Sequence, residues 1–272
     1  MSSDYDERFG ELYNSRSSKP RGKGKTMVIG DGLYNLGGTN YLQDLIDFVG
    51  PWVDEYKMQR GSIGLQSPEL LQRKLDLFDE NNILVFPGGN FLEAAIHRDL
   101  VDDYLQTMND IGVPGIEVST TSIEMEVDDK VALIEQASEM GFHVHAEIGK
   151  KASETGGEKL SVEEVNHEVD ASINAGADMV ILEMEQLKQM DGDSVDRGSV
   201  LESIVNTYGM EKILFELPLS SYYEVMEQSW WFISRFGPNV NLGNVNPQHV
   251  MPLEQQRRGL GQFAFSNNFG DD

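Results

Sequence analysis

The chain contains no cysteine, which excludes a disulfide framework, thiolate metal ligation and thiol catalysis. Basic residues are scarce: 21 Lys and Arg stand against 46 Asp and Glu, for a formal charge of -25. Such a balance argues against nucleic acid or an anionic membrane surface as a partner. No apolar run approaches the ~20 residues of a spanning helix, and neither a signal-peptide pattern, a GxGxxG nor a P-loop is found. A cytoplasmic protein without a nucleotide site is the expectation. Over the roughly 12,000 Å² surface of a protein this size, the surplus charges lie on the order of 20 Å apart. The Debye length at molar salt is only ~3 Å, so their repulsion would be screened there. An acidic excess of this kind is a device of halophiles, and a salt-rich cytoplasm is the expected setting.

What is present is a repeating pattern. Residues 1–18 and 262–272 are polar and aperiodic, which predicts tails at both ends of a body spanning 19–261. Within the body eight apolar pulses recur: "TMVIGDG", "WVDEYKM", "ILVFPGG", "GIEVSTT", "HVHAEIGKK", "MVILEME", "KILFELP" and "VNLGNV". Between them, Tyr41–Val49, Pro68–Phe78, Asp128–Met140, Val162–Ala175 and Ser199–Tyr208 carry apolar residues at three- and four-residue spacings, which predicts helices. Eight strand–helix units in about 230 residues fit a single (β/α)8 TIM-type barrel, with an open doubly wound sheet as the structural alternative.

In such a barrel the reacting groups lie where the strands end. Asp31, Lys57, Gly88, Gly89, Glu117, Ser119, Glu147, Lys150, Lys151, Glu183, Glu185 and Glu216 follow the first seven pulses. Carboxylates after strands four to seven could converge on one divalent cation, and hard oxygen donors suit Mg²⁺; each could also be a salt-bridged rim residue. By two-residue alternation Lys57 shares a face with Glu55 and turns away from Tyr56. A lysine there could clamp phosphate, stabilise an enolate, move a proton or form a Schiff base. The eighth strand is expected over Val240–Leu242, with Asn241, Gly243 and Asn244 where it runs out. Such a loop suits an oxyanion, or is simply a turn. His143 and His145 come early in their strand and read as core residues. Trp230 to Phe232 read as helix-to-barrel packing.

Taken together, "KPRGKGKTMVI", "VDEYKMQRGS", "PGGNFLEAA", "GIEVS", "AEIGKK", "AGADMVILE", "LFELP", "FGPNVNLGNV" and "LEQQRRGL" run in order from Lys19 to Leu260. The series resembles the phosphosulfolactate synthase family, whose related plant members include heat-stress-associated proteins. The resemblance implies a barrel that adds sulfite to phosphoenolpyruvate with Mg²⁺, in coenzyme M biosynthesis. It implies catalytic roles for Lys57, Lys150, Lys151 and Glu117, with the lysine pair as the place to look for the acid. It further implies a small anionic substrate held by Gly88, Gly89, Ser119, Asn241, Gly243, Asn244 and Arg257, and metal or proton handling by Glu147, Glu183 and Glu216. A homo-oligomer is compatible with it. The sequence departs from the family pattern at Gly30 and Asp31, at "STTS" (Ser119–Ser122), at Glu185 and at "RRGLGQF" (Arg257–Phe263), mostly around the expected mouth. A non-catalytic binding or stress-related barrel is therefore the second expectation, and a Schiff-base aldolase the third.

Overall fold

The computed structural model describes residues 10–31, 37–120, 122–149, 161–183 and 197–261. Eight short parallel strands form one sheet: β1 (Thr26–Gly30), β2 (Glu55–Met58), β3 (Leu84–Pro87), β4 (Gly115–Val118), β5 (His143–Ile148), β6 (Met179–Glu183), β7 (Ile213–Glu216) and β8 (Leu242–Val245). All eight are largely buried runs that must be covered on both faces. Hydrogen-bonded neighbours run β3-β2-β1-β8-β7-β6-β5-β4, and β3 packs beside β4 to bring the ends together. The fold is a nearly closed (β/α)8 barrel. No ladder pairs β3 with β4 among the described residues.

Around the sheet, in chain order, lie α1 (Thr39–Val49), α2 (Pro68–Glu80), α3 (Asn90–Ile96), α4 (Val101–Asp110), α5 (Val127–Glu139), α6 (Val162–Asn174), α7 (Arg197–Tyr208), α8 (Tyr222–Phe236) and α9 (Val250–Arg257). Three of them start on capping chemistry. Ser67 accepts from the Leu70 N–H, and Ser161 and Ser221 each form a reciprocal box with a glutamate three residues on. None of the described helices is long and apolar enough to cross a membrane.

Strand alternation sorts the core. Val28, Tyr56, Val85, Ile116, Val144, Val180, Phe215 and Leu242 face the helices. Met27, Phe86, Met179, Ile181 and Leu214 form a separate inner cluster. Phe232 is fully buried, with Trp230 and Trp231 packed on the core, as their helix placement predicted.

The eighth strand departs from expectation. It runs Leu242–Val245, two residues later than read from sequence. Its pairing with β1 slips, since Thr26 opposes Leu242 while Val28 opposes Val245. One extra residue is thus accommodated by a bulge, with Asn244 at φ 54°. The polar start of the chain also differs: Arg16 donates to Pro238 O, Asn239 Oδ1 and Gly24 O and pairs with Glu254. Residues expected in a tail ending at 18 are therefore tied to the N-terminal floor of the barrel. The C-terminal tail, 262–272, lies outside the described residues.

Candidate active site

Two polar layers interrupt the apolar barrel interior. The lower one is built by Glu55, which accepts from Lys25 Nζ at 2.8 Å and faces His145 Nε2 at 2.9 Å. His145 is wholly buried and stacked on Phe86. Burial alone would raise the Glu55 carboxyl; His145 and Lys25 outweigh it and hold the group well below the usual carboxylate range. His145 is thus the core residue expected, whereas His143 is half-buried at the floor, with its imidazole lowered to about 4 by burial and then by His145.

The upper layer lies at the C-terminal ends of the strands. Lys57 Nζ sits 2.7 Å from Glu117 Oε2 and 2.8 Å from Glu216 Oε1, and all three side chains are buried. Burial alone would lower the Lys57 ammonium; Glu117, Glu216 and Glu147 together hold it well above its ordinary value. Glu117 moves the other way for a carboxylate, pushed up to about 8 by burial, against the pull of Lys57 and with Glu147 and Glu216 adding to the rise. Lys57 therefore stays charged, and Glu117 keeps its proton to higher pH than an ordinary carboxyl does. Its other oxygen accepts the Gly89 N–H at 2.8 Å.

Gly89 is the residue that lets β3 and β4 share this site. A Cβ there would stand 2.3 Å from Ser119 Cβ and 2.9 Å from Glu117 Oε1, whereas one at Gly88 would meet nothing closer than 3.6 Å. Both glycines lie at the mouth, but Gly89 is spent on holding Glu117. Ser119 is fully buried and donates its hydroxyl to Glu93 Oε1 at 3.0 Å. Glu93 also takes the Ser122 N–H and the Asn90 amide.

Two expected substrate ligands lie at the opposite end. Asn241 accepts the Lys25 N–H and donates to Met210 O and Ile213 O, satisfying backbone groups where β1 and β7 begin. Arg257 is fully buried and donates to Pro238 O, Val240 O and Lys25 O; burial lowers its guanidinium to about 9. These residues hold the floor, a correction that follows from the strand starting after Asn241 rather than ending beside it. Gly243 sits opposite Glu216, and a Cβ there would stand 2.5 Å from Leu214 and Met27, so it is a packing glycine within the barrel. Asn244 does stand at the C-terminal end of β8, with its Oδ1 buried and without a partner among the described residues. Lys150, Lys151 and Glu185 lie outside the described residues.

The proposed metal ligands are placed as follows. Glu147 is buried at the end of β5, Glu183 half-buried at the end of β6, and Glu216 pairs with Lys57. Their oxygens suit Mg²⁺ chemically. Yet among the described residues no three acidic or histidine side chains gather as a ligand set, and Lys57 occupies the place of a cation between Glu216 and Glu117. As arranged, the three glutamates do not fit a shared ion.

Two buried lysines were missed from sequence. Lys74, on α2, reaches Asp31 Oδ2 at 2.6 Å and Gln66 Oε1 at 2.9 Å; Asp31 also receives Tyr56 OH. Lys130, on α5, donates to Glu147 O and pairs with Glu168, thereby anchoring the end of β5. The signal was there: Lys74 falls in the apolar stripe of Leu71, Leu75 and Phe78, and Lys130 in that of Ile134 and Ala137.

Fold and mouth together define a (β/α)8-barrel protein with a buried, ion-paired acid–base cluster at its C-terminal end. Residues 14–262 match the family described as (2R)-phospho-3-sulfolactate synthase (ComA), and the chain belongs to that family. It is 33% identical over 256 residues to the phosphosulfolactate synthase of Methanothermobacter thermautotrophicus, covering 93% of this chain and 95% of that one. The Bacillus subtilis phosphosulfolactate synthase is 28% identical, covering 92% and 95%. Protein HEAT-STRESS-ASSOCIATED 32 of Arabidopsis thaliana is 24% identical, covering 93% and 92%. A truncated 3-deoxy-D-arabino-heptulosonate 7-phosphate synthase from Thermotoga maritima superposes with a TM-score of 0.53 at 12% identity, over 85% of this chain and 84% of that one. That likeness concerns the fold alone.

Proposed function

We propose that the protein is a carbon–sulfur lyase of the phosphosulfolactate synthase type, joining sulfite to phosphoenolpyruvate. The observation that carries this reading is the buried Lys57–Glu117–Glu216 cluster at the mouth of a barrel of that family. In the reaction the sulfite lone pair forms the carbon–sulfur bond at the terminal alkene carbon. The displaced π pair passes to the neighbouring carbon, towards its carboxylate, and is quenched there by a proton. Nothing leaves and nothing is oxidised. Lys57, held between Glu117 and Glu216, fixes the position of Glu117, and Glu117, held protonated near neutrality, offers the proton. No step is routed through a metal.

A second reading, a family barrel kept for a non-catalytic role, is favoured by the similarity to the heat-stress-associated protein. Purified protein in molar KCl with phosphoenolpyruvate, sulfite and Mg²⁺, product being followed by mass spectrometry, separates the two. Turnover abolished by Lys57→Met and Glu216→Gln supports the lyase. A folded wild-type protein that makes no product supports the second reading.

A further inference from the structure

An anionic substrate needs a cation that is not already neutralised, and among the described residues the mouth offers few. Lys57 is shared between two carboxylates, Lys74 is committed to Asp31 and Gln66, and Lys130 to Glu147 O and Glu168. Arg60 differs. It lies three residues beyond Lys57, just past the C-terminal end of β2; it is exposed, and its side chain makes no hydrogen bond or ion pair among the described residues.

Its backbone is held in an unusual state. Ser62 N donates to Gln59 O at 2.8 Å, closing a turn whose central residues, Arg60 and Gly61, stand at φ 47° and 74°. Such a turn favours Asn, Asp or Gly at its first central position, because a Cβ crowds the carbonyl there and only Asn or Asp offsets this with local side-chain hydrogen bonds. Its neighbours enforce the shape: a Cβ on Gly61 would lie 3.1 Å from the Phe91 ring, and Met58 O holds the Gly88 N–H at 2.7 Å. A strained, unpaired arginine on a turn fixed from both sides is an arrangement found at ligand clamps. The same turn supplies a second donor, since Ser62 Oγ is buried with no partner among the described residues.

We propose that Arg60, assisted by the Ser62 hydroxyl, is the anion anchor of the mouth, taking the phosphate or carboxylate end of a small substrate. A guanidinium fork matches either group with two parallel hydrogen bonds. The inference rests on the lyase reading for the identity of the substrate, and on the turn geometry for the role of the residue.

The test uses the full chain with phosphoenolpyruvate and with inorganic phosphate as probes, binding being read by calorimetry and phosphorus NMR. Arg60→Asn keeps a residue suited to positive φ. It is expected to leave the melting temperature unchanged or higher while weakening phosphoenolpyruvate binding by about tenfold or more, with Arg60→Lys intermediate and Ser62→Ala milder. Turnover by the wild type with the same KM in Arg60→Asn overturns the anchor and leaves the lyase reading standing. A wild-type protein that binds neither probe overturns both.

Discussion

Lys57 Nζ lies 2.8 Å from Glu216 Oε1, although the two residues are 159 positions apart in sequence. With Glu117 Oε2 at 2.7 Å on its other side, the ammonium is what makes a ring of buried carboxylates tolerable. Removing one member of such a cluster leaves uncompensated charge in the barrel interior.

Lys57→Met should therefore cost about 3–5 kcal/mol of stability at pH 7, read from urea unfolding. The deficit should shrink at pH 5, where the orphaned carboxylates can take up protons. An equal loss at both pH values would mean that packing, not charge, sets the cost.

Glu117 should make stability fall as pH rises. Its folded value, about 8, stands above its ordinary 4.5, so between those limits the folded state holds a proton the unfolded chain has released. The stability linked to that proton is complete below 4.5 and lost as pH climbs through about 8. Glu117→Gln, which cannot titrate, should flatten this part of the profile. Parallel curves for the two proteins would refute the assignment.

The two asparagines near β8 should separate. Asn241→Ala removes three hydrogen bonds at the barrel floor and should cost about 1–3 kcal/mol, leaving phosphoenolpyruvate affinity unchanged. Asn244→Ala removes an amide at the mouth whose oxygen has no described partner; it should weaken ligand binding with little change in folding. Calorimetry alongside thermal melts reads both, and the reverse pattern would relocate the site.

Adjacent glycines should also differ. Gly89→Ala forces a methyl against Ser119 and Glu117 and should destabilise by about 1–3 kcal/mol. Gly88→Ala meets only ordinary contacts and should be tolerated. Comparable melting temperatures for the two variants would contradict the geometry.

Salt should act through the acidic surface. With a net charge of -25, the unfolding midpoint should rise between 0.1 and 1 M KCl, as the Debye length falls from ~10 to ~3 Å. A midpoint that does not change over this range would contradict a screening role.

Much of this architecture was legible in the sequence because periodicity reports local geometry. Strand alternation placed Glu55 and Lys57 on one face and Tyr56 on the other, and helical spacing found α1, α2, α5, α6 and α7 to within about two residues. The site was only half legible. That Lys57 meets Glu117 and Glu216 depends on the shear of a closed barrel, which no local pattern carries. Asn241 was misplaced because Val240 to Val245 is apolar enough to begin a strand at several points, and the bulge that decides the matter is a property of pairing with β1. Asparagine's composition alone does not tell which end of a strand its amide serves.

The strands β3 and β4 meet without a ladder, yet the Gly89 N–H still reaches across to Glu117 Oε1. The group expected to deliver the proton is therefore also the clasp of the barrel. Each change in its protonation alters the acceptor that holds the Gly89 N–H, so the grip of one wall on the other should vary with pH, and amide exchange at Gly89 should follow the titration of Glu117.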